Sequence, residues 1–511
     1  MTELPSTKRH VQSETPFGEC QNLAVNIRDL PGDPHPSCSL QIREMASHTP
    51  EPRASSSSST DIEVKMASAA RRAPENPKPD SSLSARSDNY MFAIYYTYFH
   101  PAHPILPPWN LFQQAHLPLY LKQVVEFIAA HFTPTAPSET YRHTIVGTVL
   151  KQAPEPEKVQ ALLLLCIVLH SRTEHVESKN CLATAVDLAF ELGLNRAFYA
   201  ETESPNDPIR AECLRRTWWE LFIIEGLLKS FGVQHICRTA LKPLEVLLPC
   251  EESTFREGLI SPIPQTLSEF DARVFAEREP GFSSYTYRID AVRILNWALD
   301  IREMTGSHEN LIEVIDARIA SWFLNLPSSK AELLRPDGSV NEIMFQACII
   351  VNIASIHLNF SRSGLMSSSA VATDVICSHQ TSPKDSAFSH HSHATKAVRA
   401  ANEISSLAAI SSPVEKHTPL LTCALALSCI VQLAVVKAGQ MSDATRDRIC
   451  LNLGVLRSMG RTWAISKTTM QKAKAVARDV LALGTQPPVD LFDFTTLLDL
   501  NEEVLMDGSI L

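Results

Sequence analysis

Glycine is scarce in this chain, 16 among 511 residues, which argues against a turn-dense β architecture that needs glycine at its hairpins and bulges. A basic excess is missing too. Lys and Arg number 46 against 56 Asp and Glu, a net charge of −10. Neutralising phosphates drives DNA binding, so a direct contact would need a local basic patch. Signatures of catalysis are also lacking: there is no Gly-x-Ser-x-Gly elbow, no phosphate loop ending in Gly-Lys-Ser/Thr, no dinucleotide fingerprint and no paired aspartates to hold magnesium. The expectation is a protein that is not an enzyme, with no catalytic residue. No basic-then-apolar leader opens the chain. The charge-free run Pro419 to Val436, 18 residues, sits at the lower limit for a membrane span. With Thr422, Ser428, Gln432 and several alanines it reads as a buried core helix, and no membrane partner is expected.

Cysteine is present, 12 in all, but without a framework. Most stand alone in apolar helical surroundings, the pattern of reduced buried thiols in an intracellular compartment. Apolar residues make up 44% and charged residues 20%, ample for a globular core. Helical periodicity with Pro and Gly punctuation marks segments near 117–131, 139–150, 156–171, 178–193, 208–231, 287–304, 309–325 and 340–360. The fold class read from this pattern is all-α, an irregular multi-helix array. Residues 1–88 are dense in Ser and Pro and carry 10 basic against 12 acidic side chains, which predicts a disordered segment. Residues 361–394, with His390, His391 and His393, read as a mobile Ser/His-rich loop inside a helical domain spanning 89–484. His100 and His103 lack partners at ligand spacing, and no metal site is assigned.

The most informative stretch is Leu214-Arg215-Arg216-Thr217-Trp218-Trp219-Glu220-Leu221-Phe222. Leu214, Trp218, Leu221 and Leu228 recur at helical spacing, and Trp219, Phe222 and Ile223 widen the stripe, so the helix is buried on most sides. The stretch resembles the central regulatory, or middle homology, domain of fungal transcription factors, which typically reads Arg-Arg-Arg-Thr-Trp-Trp and later an Asp-Arg pair. Here Leu214 replaces the first arginine, Glu225 takes the aspartate position and Gly226 stands for the second arginine of the pair. Other blocks in the family's order are Ala161 to His170, Ala189 to Asn195, Leu247-Leu248-Pro249-Cys250, Met344-Phe345-Gln346-Ala347, Lys416-His417-Thr418-Pro419 and Gly454 to Trp463. Arg215, Arg216, Thr217, Trp218 and Trp219 mark the family and are expected to hold the fold, the arginines capping or bridging to nearby carboxylates.

The resemblance implies a nuclear regulator of RNA polymerase II transcription, of the kind associated with biosynthetic, secondary-metabolite gene clusters. Such proteins usually read DNA through six cysteines holding two zinc ions, or through zinc fingers. In this sequence Cys20 and Cys38 are the only cysteines before position 166, with His35 the one potential ligand nearby. No DNA-binding residue is identified, and zinc is expected only in an upstream zinc-cluster module. Three readings stay open: DNA reached through a partner, a chain preceded by a further exon, or an antagonist that titrates partner transcription factors. Residues 485–511 lack Lys and Arg and interleave Asp490, Asp493 and Asp499 with Phe492, Phe494, Leu497 and Leu498. This alternation fits an activation tail that docks on coactivators or the transcription machinery; equally, it fits a last amphipathic helix on the bundle. A dimer partner completes the expected set.

Overall fold

The computed structural model describes residues 81–481 apart from 113–114, 135, 234–235, 262, 278–279, 305–307, 366–384 and 411; for 81–89, 385–389, 479 and 481 it describes the backbone alone. The Ser/Pro-rich stretch through residue 80 and the candidate tail lie outside these residues. The helices are α1 (Ser81–Tyr98), α2 (Trp109–Phe112), α3 (Leu119–Ala129), α4 (Glu139–Leu150), α5 (Pro156–Ser171) and α6 (His175–Leu192). There follow α7 (Tyr199–Glu203), α8 (Pro208–Ser230), α9 (Glu252–Glu257), α10 (Leu267–Ala272), α11 (Ser284–Glu303) and α12 (Glu309–Leu324). The last six are α13 (Ser328–Ala331), α14 (Glu342–Asn359), α15 (Asp385–Ala408), α16 (Leu421–Lys437), α17 (Asp443–Met459) and α18 (Ala464–Leu481). Among the described residues there is no strand, only one antiparallel bridge between Leu334 and Val340. The protein is all-α.

Local chemistry sets the ends of the helices that matter most. Pro208 occupies the first turn of α8, where a missing N–H costs nothing, and the Asp207 carboxylate accepts from Arg210 N at 2.9 Å. Ser283 caps α11 through Thr286 N, and Asn341 caps α14 through Met344 N. Gly193 closes α6 with φ near +85°, a conformation that disfavours a side chain.

α5, α8, α14 and α16 are buried along nearly their whole lengths, and α11, which packs on both α8 and α14, along most of its own. The longest interface joins α11 to α14; the α5–α6 pair packs on α8, and α15, α16, α17 and α18 pack successively beyond α14. One apolar cluster runs through these layers from Met91 to Ala473. α14 and the turn after it, Glu342–Arg362, are long and apolar enough to cross a membrane, yet all of Glu342–Asn359 is buried in the rest of the fold. α16, the run singled out in the sequence, is buried from Leu421 to Val436.

Two boundaries differ from the sequence reading. α1 begins at Ser81, inside the stretch read as disordered. More tellingly, α15 begins at Asp385, so His390, His391 and His393 of the expected 361–394 loop lie on a helix. The cause is tertiary. Ala397, Ala401 and Ile404 form a buried stripe of α15, and α15 packs against α14 and α16, which carries the helix upstream through Ser- and His-rich sequence. His393 Nδ1 donates to Asn359 Oδ1 at 2.6 Å and His390 Nδ1 to the Arg362 carbonyl at 2.6 Å.

Candidate functional site

α8 is apolar on most of its circumference, yet Glu212, Arg216 and Glu220 recur along it at four-residue intervals, all fully buried. Charges in such a place must be neutralised locally. Glu212 accepts from Arg216 Nε (2.7 Å) and the Cys250 amide (2.9 Å) on one oxygen, and from Arg215 Nη2 (2.8 Å) on the other. Arg215 also pairs with Glu201. The Arg216 guanidinium donates to Glu252 (2.6 Å), the Cys250 carbonyl (2.9 Å) and the Pro104 carbonyl (3.3 Å), and lies 3.9 Å from the Phe255 ring centre. Four contacts on one fork explain why Arg stands there and not Lys.

One turn later Glu220 closes a ring of hydrogen bonds. One of its oxygens meets His103 Nδ1 at 2.8 Å; the other accepts from the Tyr285 hydroxyl and the Arg288 guanidinium. Arg288 donates onward to Gln346 Oε1 (2.6 Å) and the Ala102 carbonyl (3.0 Å), and Gln346 donates to Glu342 (3.1 Å). Glu342 accepts from His417 Nδ1 (2.7 Å) and the Thr418 amide (3.2 Å), and the Thr418 hydroxyl lies 3.0 Å from His103 Nε2. The circuit therefore runs through α8, α11, α14, the His100–Pro104 turn and the segment before α16.

Electrostatics inside the network is lopsided. Burial pushes the pKa of Glu220 up, but Arg288 and His103 outweigh it and hold the carboxyl below its ordinary value. Glu212 behaves alike between Arg216 and Arg215. At Glu252 burial wins over Arg216, and the pKa rises. Arg216 and Arg288 lose stability to burial and regain more from their acids, so both are held above the ordinary range. Elsewhere burial raises Cys166, Cys181, Cys237, Cys348 and Cys429 to about 12, so these thiols stay protonated at neutral pH. Every carboxylate of the ring is occupied by fixed donors of the protein. Such a site clamps helices together.

The remaining marker residues sit around this clamp. The Thr217 hydroxyl donates to the Cys213 carbonyl and accepts from Gln160. Trp218 and Trp219 are wholly buried; Trp219 Nε1 donates to the Leu247 carbonyl at 3.0 Å, whereas Trp218 Nε1 has no partner among the described residues. Glu225 reaches the Thr239 amide (2.7 Å) and hydroxyl (2.6 Å), fastening the turn after α8. At Gly226 a Cβ would lie 2.7 Å from Val292 Cγ1, so the close approach of α8 to α11 leaves no room for an arginine. Sequence reasoning passed over Glu212, Glu220, Arg288 and Glu342. The available signal was an acid–base–acid series at i, i+4 and i+8 on a helix with no polar face. Among the described residues no group of three or more His, Cys, Asp or Glu side chains could hold a metal ion.

The all-helical array accords with the resemblance of the Arg-Arg-Thr-Trp-Trp helix to the regulatory domain of fungal transcription factors. Residues 93–317 match the family model of the fungal specific transcription factor domain. A curated relative, the C6 finger domain transcription factor iacK of Pestalotiopsis fici, is 31% identical over 326 residues, 63% of this chain and 48% of the relative. The chain thus spans about half the length of that relative. No solved structure matches.

Proposed function

We propose that the chain acts in the nucleus as a regulator of RNA polymerase II transcription for a biosynthetic, secondary-metabolite gene set. The observation that carries this reading is the match of residues 93–317 to the fungal specific transcription factor domain. The similarity to a C6 finger transcription factor over 326 residues adds support, and so do the family-like blocks downstream of residue 317. In mechanism, the clamped helical array is a scaffold with two packings, and a ligand or partner that favours one of them shifts the population. Residues 485–511, with Asp490, Phe492, Phe494, Leu497 and Leu498, serve as the activation tail that engages coactivators. Tethered to a heterologous DNA-binding module, the full chain should activate a reporter, and truncation before Thr485 should abolish activation. Unchanged activation would remove the tail from the account.

A second reading is a co-regulator or antagonist that binds partner transcription factors. Transcript profiling after gene deletion separates the two. Target genes that fall mark an activator, and target genes that rise mark an antagonist. If no coherent gene set moved, both readings would fail.

A further inference from the structure

A groove of about 600 Å³ opens between α15 and the turn from α16 to α17. Leu365, Ala394 and Val398 supply apolar lining, and Arg399 and Arg448 stand on its walls with Glu403. Among the described residues neither arginine has an acid partner, in contrast to Arg215, Arg216, Arg288 and Arg293.

The chain leaves the described fold beside this groove. Val476 and Val480, in the last turns of α18, pack against Leu433, Val436 and Ile449. Val436 lies two residues before Ala438, and Ile449 adjoins Arg448; Ala438 and Arg448 both line the groove. From Leu481 to Asp490 the chain can extend about 30 Å, so reach is no obstacle. From Asp490 onward every charged side chain is acidic, Asp490, Asp493, Asp499, Glu502, Glu503 and Asp507, and Phe and Leu are interleaved among them.

We propose that this groove is the intramolecular docking site of the segment Asp490–Leu498. Its aspartates pair with Arg399 and Arg448, and Phe492 and Phe494 cover Leu365, Ala394 and Val398. Each exposed ion pair contributes little on its own. A tethered segment, however, is presented at roughly millimolar effective concentration, so a weak site is occupied without high intrinsic affinity. The docking needs only the composition of the tail and the lining of the groove. Its consequence for transcription rests on the activation reading: docking hides the side chains a coactivator would take.

Hydrogen exchange across residues 366–384 and 485–511, measured on the full chain at low salt, tests the docking. Amides of 490–498 should exchange at least tenfold more slowly in the wild type than in Arg399→Glu/Arg448→Glu. Adding Asp490→Lys/Asp493→Lys to that variant should restore protection, and 0.5 M salt should remove it from the wild type. The tail substitutions lie outside the described fold, so Asp490→Lys/Asp493→Lys alone, which should also lose protection, keeps the test sound if the arginine variant fails to fold. Free exchange of the wild-type tail overturns the proposal, as does protection that survives the arginine reversal. Protection that grows with protein concentration overturns it by assigning the groove to a second copy, and a response confined to residues 366–384 by assigning it to that segment. Should the tail fail to activate a reporter while its protection follows the charges, the docking stands and the activation reading falls.

Discussion

Two adjacent tryptophans on one helix do unequal work. Trp219 anchors the chain exit after α8 by donating to the Leu247 carbonyl, while Trp218 fills space near Phe190 with its N–H unpartnered among the described residues. Replacing Trp219 by Phe strands a buried acceptor, at a cost of about 1–3 kcal/mol beyond the lost volume, and replacing Trp218 by Phe removes a donor that had no partner. Trp219→Phe should therefore destabilise more than Trp218→Phe in denaturant unfolding, by about 1–2 kcal/mol; equal losses would mean the indole bond contributes nothing. Truncation of Trp218 to Ala should cost about 3–5 kcal/mol, since that ring is core. The burial of both rings was legible from the spacing of apolar residues. Which indole is bonded was not, because Leu247 lies 28 positions away and periodicity reports a face, not a neighbour.

At the scale of elements, periodicity places α8 at 208–231, against the observed Pro208–Ser230, because Pro208 and Asp207 are local signals. α5, α12 and α14 follow their periodicity in the same way. α15 does not. Ser and His favour a loop locally, and only burial against α14 and α16, invisible in a window of sequence, makes the helix. The ring is equally hidden, since its members lie far apart in the chain: His103 and Glu220 by 117 positions, His103 and Thr418 by 315. Its energetics invite a double-mutant cycle. Glu220→Gln leaves Arg288 buried without its countercharge and should cost about 3–5 kcal/mol, and Arg288→Met should cost a similar amount. The double variant should lose much less than the sum. Strict additivity in urea unfolding would show that the two helices are not clamped through this pair.

For the whole molecule the titrating groups set an acid limit. Burial, with His175 nearby, lowers His170 to about 3, and burial, with Arg302 nearby, lowers His357 to about 3. Unfolded histidine titrates near 6.5, so below that pH the unfolded chain binds protons that the folded chain refuses, and stability falls as pH falls. Two such histidines should remove on the order of 4 kcal/mol between pH 7.5 and 5.0. Glu212 and Glu220, with lowered folded pKa values, add a second loss that sets in only as pH drops through the ordinary carboxylate range. Thermal melts at pH 7.5 and 5.0 check the first stage; an unchanged midpoint would contradict the burial of these imidazoles.

The ring also sets an order of events during synthesis. Ala102, His103, Glu220 and Arg288 are made early, whereas Gln346, Glu342, His417 and Thr418 are translated after the last residue of the family-matched region. At about 5–20 residues per second, the ribosome needs roughly 5 to 20 s to go from residue 317 to residue 418. Throughout that interval His103 lacks the Thr418 hydroxyl, and until residue 346 is made Arg288 lacks the Gln346 oxygen, while α8 and α11 present apolar surface that α14 has not yet covered. The protein is thus committed to waiting, and a chaperone that shields apolar helices would find its client in this half-finished chain.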